Sequence, residues 1–239
     1  MKLTLNPELQ SALSAVVEEL AASEIASRIS DKDDSIWGPA AQPEASIRLG
    51  WVDSFKEAVN LIPEIVKLRD GFRERGIDRI VLCGMGGSSL APEVITKNSG
   101  VELVVLDSTA PDQVAAALIE LERTAVVVSS KSGSTVETDS QKRAFEKAFQ
   151  EAGIDVTKRI VIVTDPGSPL DAASRQAGYQ VFNADPNVGG RYSALTAFGL
   201  VPSGLAGADI AALVSSANHA APTFASDSTD NPALWLGAV

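Results

Sequence analysis

Ala125-Val126-Val127-Val128-Ser129-Ser130-Lys131-Ser132-Gly133-Ser134-Thr135-Val136-Glu137-Thr138 is an apolar run that passes directly into a hydroxyl-rich turn and then into a helical pattern. The run is apolar at every position, which is the signature of a strand buried on both faces. Similar runs occur at Ile80-Val81-Leu82-Cys83, Leu103-Val104-Val105-Leu106 and Ile160-Val161-Ile162-Val163, with a weaker one from Tyr179 to Asn183. Helical patterns at about 90–99, 111–122, 136–152 and 168–177 separate them. Strands alternating with helices predict an α/β fold: a three-layer, doubly wound, five-stranded parallel sheet with helices on both faces. In such sheets ligands bind beyond the carboxyl ends of the strands.

Two chemically distinctive loops lie there. The first is the turn from Ser129 to Thr135, which carries five hydroxyl side chains, one Lys and one Gly. The first N–H groups of a helix lack internal partners, and the helix dipole and an ammonium group add positive potential. Together they suit a phosphate monoester, although no G-x-x-x-x-G-K-[ST] nucleotide loop is present. The competing reading is a plain strand-to-helix connection, because Ser and Thr are ordinary N-cap residues. The second loop is Gly84-Met85-Gly86-Gly87-Ser88-Ser89, whose glycines permit a tight turn and close approach of a ligand to the backbone. It partly matches a dinucleotide fingerprint, with Asp107 in the place of a ribose-binding acid, but the third glycine is missing. A structural turn without a ligand is the other alternative.

A third element, Asp185-Pro186-Asn187-Val188-Gly189-Gly190-Arg191-Tyr192-Ser193, follows the last strand. Two glycines let the Arg191 guanidinium turn into the crevice, where its fixed donors suit phosphate oxygens or a developing oxyanion. The alternative is a surface ion pair.

The flanking segments read as helical. Asn6-Pro7 is an N-cap followed by proline, and Leu9, Leu13, Val16, Leu20, Ile25 and Ile29 predict one amphipathic helix over residues 7–29. An ordered arm follows from Ile36 to Leu49, then a second helix from Val52 to about Arg75 with Pro63 as a kink or break. From Tyr192 onward there is no Lys or Arg, and Leu195–Leu205 and Ile210–Ala220 read as apolar, Ala-rich helices. Asn231-Pro232 starts another helix, which is read as continuing in a longer protein. The expected division is therefore 1–75, a helical arm; 76–190, the α/β ligand-binding domain; and 191–239, a helical segment.

The bulk numbers narrow the function. A hydrophobic content of 45% with 21% charged residues is that of a soluble globule. A net charge of −11 argues against nucleic acid and membrane surfaces as partners, while a small anionic substrate remains compatible with a local basic site. A single cysteine, Cys83, reads as a buried small hydrophobe, and with no signal peptide or long apolar span the expectation is a cytoplasmic protein. His219, the single histidine, sits among alanines and reads as structural or surface.

Taken together, the loop Gly84–Ser89 with Leu90-Ala91-Pro92, the stretch Ser130-Lys131-Ser132-Gly133-Ser134-Thr135-Val136-Glu137-Thr138, and Gly189-Gly190-Arg191-Tyr192-Ser193 resemble the glucose-6-phosphate isomerase family, whose fold is a pair of sugar-isomerase (SIS) domains. The resemblance covers roughly residues 30–239, and it implies that 76–190 is an SIS-type phosphosugar-binding domain and that 191–239 leads to a second SIS domain. Ser-Lys-Ser-Gly-Ser-Thr stands where Ser-Lys-Thr-Phe-Thr-Thr is commoner. With Ile36-Trp37 and Leu49-Gly50-Trp51 it is similar to the bacterial branch in which the isomerase is sometimes fused behind a transaldolase.

The resemblance implies interconversion of glucose 6-phosphate and fructose 6-phosphate through an enediolate, without a cofactor or metal, in a homodimer of the complete protein. It places Ser130, Lys131, Ser132 and Thr135 at phosphate-binding positions, Gly87 and Ser88 at substrate contacts, and Arg191 beside the enediolate as the catalytic residue. Glu137 matches a glutamate near the substrate that is not the base, and Val136 replaces a glutamine contact. The family's catalytic glutamate, ring-opening histidine and late lysine match positions beyond Val239, so the chain is expected to bind the phosphosugar without isomerising it. A stand-alone SIS module that senses a phosphosugar without chemistry is the alternative.

Overall fold

The computed structural model describes residues 6–239. An arm of α1 (Pro7–Ala22), α2 (Ile25–Ser30) and α3 (Gln42–Ala45) leads into α4 (Ser54–Glu74). The α/β part follows as β1 (Arg79–Gly84), α5 (Leu90–Ser99), β2 (Val104–Leu106), α6 (Pro111–Ala117), β3 (Thr124–Ser129), α7 (Val136–Glu151), β4 (Ile160–Thr164), α8 (Pro169–Gln176) and β5 (Gln180–Asn183). Three further helices close the described chain: α9 (Ala197–Ala206), α10 (Ile210–Phe224) and α11 (Pro232–Ala238).

All four strand pairings are parallel, in the order β2-β1-β3-β4-β5. The expected five-stranded sheet is therefore present, and β1, β3 and β4 are buried along nearly their whole length. Alternate residues feed two cores. Ile80, Leu82, Ala125, Val127, Val161 and Val163 pack under α4, α9 and α10. Val81, Cys83, Val126, Val128, Ile160 and Ile162 pack with Phe145 and Phe149 of α7 and with apolar residues of α6 and α8. Every residue of α9 from Ala197 to Leu205 is buried, so its sequence, apolar but for Ser203, is that of a helix enclosed on all sides. No helix among the described residues is long and apolar enough to cross a membrane.

Three local details differ from the sequence expectation. The helix expected over 7–29 is two helices, because Glu24 takes a left-handed conformation (φ 55°) between α1 and α2. The break is satisfied from afar: the Asp227 carboxylate accepts the N–H groups of Ala26 and Ser27 at 3.0 and 3.1 Å. That turn lets Ala26 join Val17 of α1 and Leu234 of α11 in a small third core. Helix α6 stops at Ala117 and not at residue 122, since the Arg79 guanidinium takes up the Ala117 and Ile119 carbonyls. Finally, α4 runs through Pro63 without a break. The carbonyl that proline leaves unpaired belongs to Val59, which is half exposed and open to water.

Candidate active site

The strand order changes direction between β1 and β3, and the crevice at that switch is where an open parallel sheet binds its ligand. Gly84 and Ser129 end their strands in register there, so the two chemical loops leave the sheet side by side. The β1 loop makes a single tight turn over Gly86–Ser88 before α5 begins. Ser88 N–H donates to the Met85 carbonyl at 3.2 Å, and the Ser89 hydroxyl donates to the Gly86 carbonyl at 3.1 Å. Gly87 is held against the third element: a Cβ there would stand 2.7 Å from the Gly190 carbonyl oxygen and 3.4 Å from the Arg191 nitrogen. Only a residue without a side chain permits that approach.

The β3 loop is fixed by its neighbour after β4. Ser130 N–H donates to the Val163 carbonyl at 3.0 Å, and its own carbonyl accepts the Thr164 hydroxyl at 2.7 Å. The Ser130 hydroxyl donates to Thr135 Oγ1 at 3.1 Å, and Ser132 Oγ accepts from Ser134 N–H and hydroxyl at 3.3 and 3.1 Å. Gly133 has φ +67°, and a Cβ there would come within 2.8 Å of Ser168 Oγ. Thr135 precedes α7 without making a side-chain cap, so the ordinary N-cap reading of this turn is not what its hydroxyl does. The first N–H groups of α7 therefore keep their capacity for an anion.

Lys131 is half-buried, with Nζ 2.5 Å from Asp165 Oδ2 and 3.4 Å from the Pro186 carbonyl. Asp165 Oδ1 is buried and finds no partner among the described residues. Arg191 lies on the short turn Gly190–Leu195, exposed and without a hydrogen bond or ion pair among the described residues. The surface ion pair considered for it is thus not formed. Glu137 sits half-buried in the first turn of α7. His219 is exposed on α10, where Nδ1 donates to the Ser215 carbonyl at 2.7 Å. Cys83 is fully buried, and burial pushes its thiol far above the usual range. Among the described residues no group of three or more His, Cys, Asp or Glu converges to hold a metal.

The structure brings Gly87, Arg191, Lys131 and the Ser130–Thr135 hydroxyls to one end of the sheet. The sequence reading overlooked three contributors. Asp165 and Ser168 belong to Asp165-Pro166-Gly167-Ser168 after β4, and the rule about carboxyl ends of strands points at that loop as much as at its neighbours. The other is Trp51, whose ring stacks on Tyr192 with centroids 5.5 Å apart. Its contact lies more than a hundred residues away in sequence, and no local pattern signals it.

The family model described as "Phosphoglucose isomerase" matches residues 18–238. This chain belongs to the phosphoglucose isomerase family. Among its relatives, a probable glucose-6-phosphate isomerase of Haloarcula marismortui is 35% identical over 167 residues, 68% of this chain and 38% of that protein. The glucose-6-phosphate isomerase of Thermus thermophilus is 35% identical over 191 residues, 77% of this chain and 45% of its own length. The crystal structure of a hypothetical protein from Thermus thermophilus superposes with a TM-score of 0.72 at 32% identity, covering 91% of this chain and 51% of the other. The chain thus spans less than half the length of these two phosphoglucose isomerase relatives. Membership in the phosphoglucose isomerase family leaves the dinucleotide reading of the β1 loop without support, and Asp107 stands exposed past β2.

Proposed function

We propose that this chain supplies the phosphate site and an enediolate-stabilising arginine for the interconversion of glucose 6-phosphate and fructose 6-phosphate. In this reading the substrate's phosphate rests on the Ser130, Ser132 and Thr135 hydroxyls, the α7 N-terminus and the Lys131 ammonium. The sugar chain runs past Gly87 and Ser88 toward Arg191. The guanidinium then faces the oxygens at C1 and C2, where negative charge develops as a proton moves between those carbons. A fixed cation there stabilises the transition state more than the ground state. Residues 1–75 serve as the arm, 76–190 as the phosphosugar-binding unit, and 191–239 as the lead into a second SIS domain. Glu137 contacts substrate without acting as the base, so the chain by itself binds and does not isomerise. A homodimer of the complete protein belongs to the same reading.

One observation carries it: the backbone of Gly190 and Arg191 lies against Gly87, at the switch point that Gly84 and Ser129 share in register. The test is calorimetric titration of the chain with glucose 6-phosphate, run beside NMR detection of deuterium uptake at C2 in heavy water. Saturable binding without uptake is the expected result. Uptake that disappears in Glu137→Gln would make Glu137 a base and overturn the assignment, and absence of binding would remove the phosphosugar reading.

A further inference from the structure

Arg191 stands on a turn that begins with two glycines, and a segment without side chains has little of its own to fix its conformation. What fixes it comes from the arm. Leu49 forms an antiparallel bridge with Val188, and both are buried. Gly50 N–H donates to the Asn187 carbonyl at 3.3 Å. A Cβ on Gly50 would come within 2.7 Å of Asp185 Oδ2 and 3.1 Å of the Asn187 carbonyl carbon, so this strap lies tight on the loop. Arg48 Nη1 reaches the Pro186 carbonyl at 3.3 Å, the same oxygen that Lys131 approaches from the phosphate seat. Trp51 then stacks on Tyr192 at an interplanar angle of 25°. Tyr192 is 58% exposed, so the stack, and not burial in a core, sets its ring. Contacts from the arm thus fall at Asn187, Val188 and Tyr192, and they bracket Arg191 on both sides, with Gly87 of the β1 loop against Gly190 between them.

We propose that Trp51 is a positioning residue for Arg191, through a clamp in which the arm segment Leu49–Trp51 holds the Asn187–Tyr192 turn. The role assigned to Arg191 rests on the reading given under Proposed function; the clamp itself rests on the contacts. Electrostatic stabilisation is effective only where the charged group is held in place before reaction, since a mobile guanidinium must be ordered at the cost of the same step it assists. Trp51 is half-buried beside a cavity of about 240 Å³ bordered by Phe55, Leu195 and Phe224, and is not a member of either sheet core. Its truncation therefore leaves the fold in place.

The test combines two measurements on the full chain and its Trp51→Ala, Trp51→Phe and Arg191→Ala variants. Hydrogen exchange is read on peptides covering residues 186–196, with those of β1 and β3 as the internal control. Calorimetry compares glucose 6-phosphate with 5-phosphoarabinonate, whose carboxylate carries charge where an enediolate would. In Trp51→Ala, exchange in 189–193 rises on the order of tenfold, the scale of one aromatic stack, while β1 and β3 are unchanged. Its preference for the acid over the sugar falls by about the same factor, toward that of Arg191→Ala. Trp51→Phe, which keeps a ring on Tyr192, restores both. Unchanged exchange in Trp51→Ala overturns the clamp, and raised exchange with an unchanged preference overturns its role toward Arg191. If the wild-type chain binds neither probe, the phosphosugar reading falls, and the exchange measurement decides the clamp by itself.

Discussion

Lys131 Nζ and Asp165 Oδ2 lie 2.5 Å apart at the carboxyl ends of β3 and β4, so the cation of the proposed phosphate seat already carries a counter-ion. Both side chains are mostly shielded, and the remaining Asp165 oxygen is buried without a partner among the described residues. A phosphate arriving at Lys131 must share it with that carboxylate and feel its repulsion. Even with the screening of bulk water, an extra negative charge several ångströms from a phosphate opposes it by about 1 kcal/mol, and the lower dielectric of a partly buried site raises that figure. Asp165→Asn is therefore expected to tighten binding of inorganic phosphate about fivefold. Lys131→Ala is expected to weaken it by about tenfold or more, because a lone Asp165 carboxylate then faces the anion. Isothermal titration of both variants checks the pair, and equal affinities would remove Lys131 from the seat.

Gly87→Ala tests the junction between the β1 loop and the Arg191 turn. The added methyl would sit 2.7 Å from a backbone oxygen, which has no rotamer with which to yield. One of the two segments must shift, at a cost of about 1–3 kcal/mol in stability. Thermal denaturation measures that cost, and glucose 6-phosphate titration should show weakened binding in the same variant. Unaltered melting and affinity together would mean that the two loops are not in contact in solution.

The cap on α2 makes the arm sensitive to acid. The Ser27 hydroxyl, with the N–H groups of Ser27 and Ala26, holds the Asp227 carboxyl below its ordinary value of 3.8. A carboxyl whose folded value is depressed stabilises the fold fully above the unfolded value, and the contribution disappears as pH falls through the folded one. Asp227→Ala should cost about 1 kcal/mol near neutral pH, as the loss of a helix cap does. The gap between wild type and variant should close on acidification below about pH 4, when the wild-type carboxyl also becomes protonated. Melting curves across that range test it; a gap that stays constant would show that Asp227 acts by shape alone.

The sheet was legible because β1, β3 and β4 are enclosed on both faces, which forces every position from Ile80 to Cys83 or from Ala125 to Val128 to be apolar. The three loops were legible because glycines and hydroxyls cluster where strands end. The break at Glu24 left no such trace. No glycine or proline marks it, and its cause is a carboxylate 201 residues further along the chain. Asp165 was hidden for another reason: a lone acid after a strand looks like any turn residue until its partner Lys131 is seen 2.5 Å away. Trp51 read as a residue that wants burial; it is half-buried, with its ring stacked on that of Tyr192.

The small core of Val17, Ala26 and Leu234 has a consequence for how the chain is made. Strands β1 to β5 find all their partners between Arg79 and Asn183, so the whole sheet can pair once that stretch has been translated. Helix α1 is synthesised before any of them, yet Val17, Leu20 and Ala21 have only Ala26 of α2 to meet until α11 has been synthesised. Helix α1 is thus among the last of the described elements to complete its packing, and through that interval its apolar stripe is open to solvent.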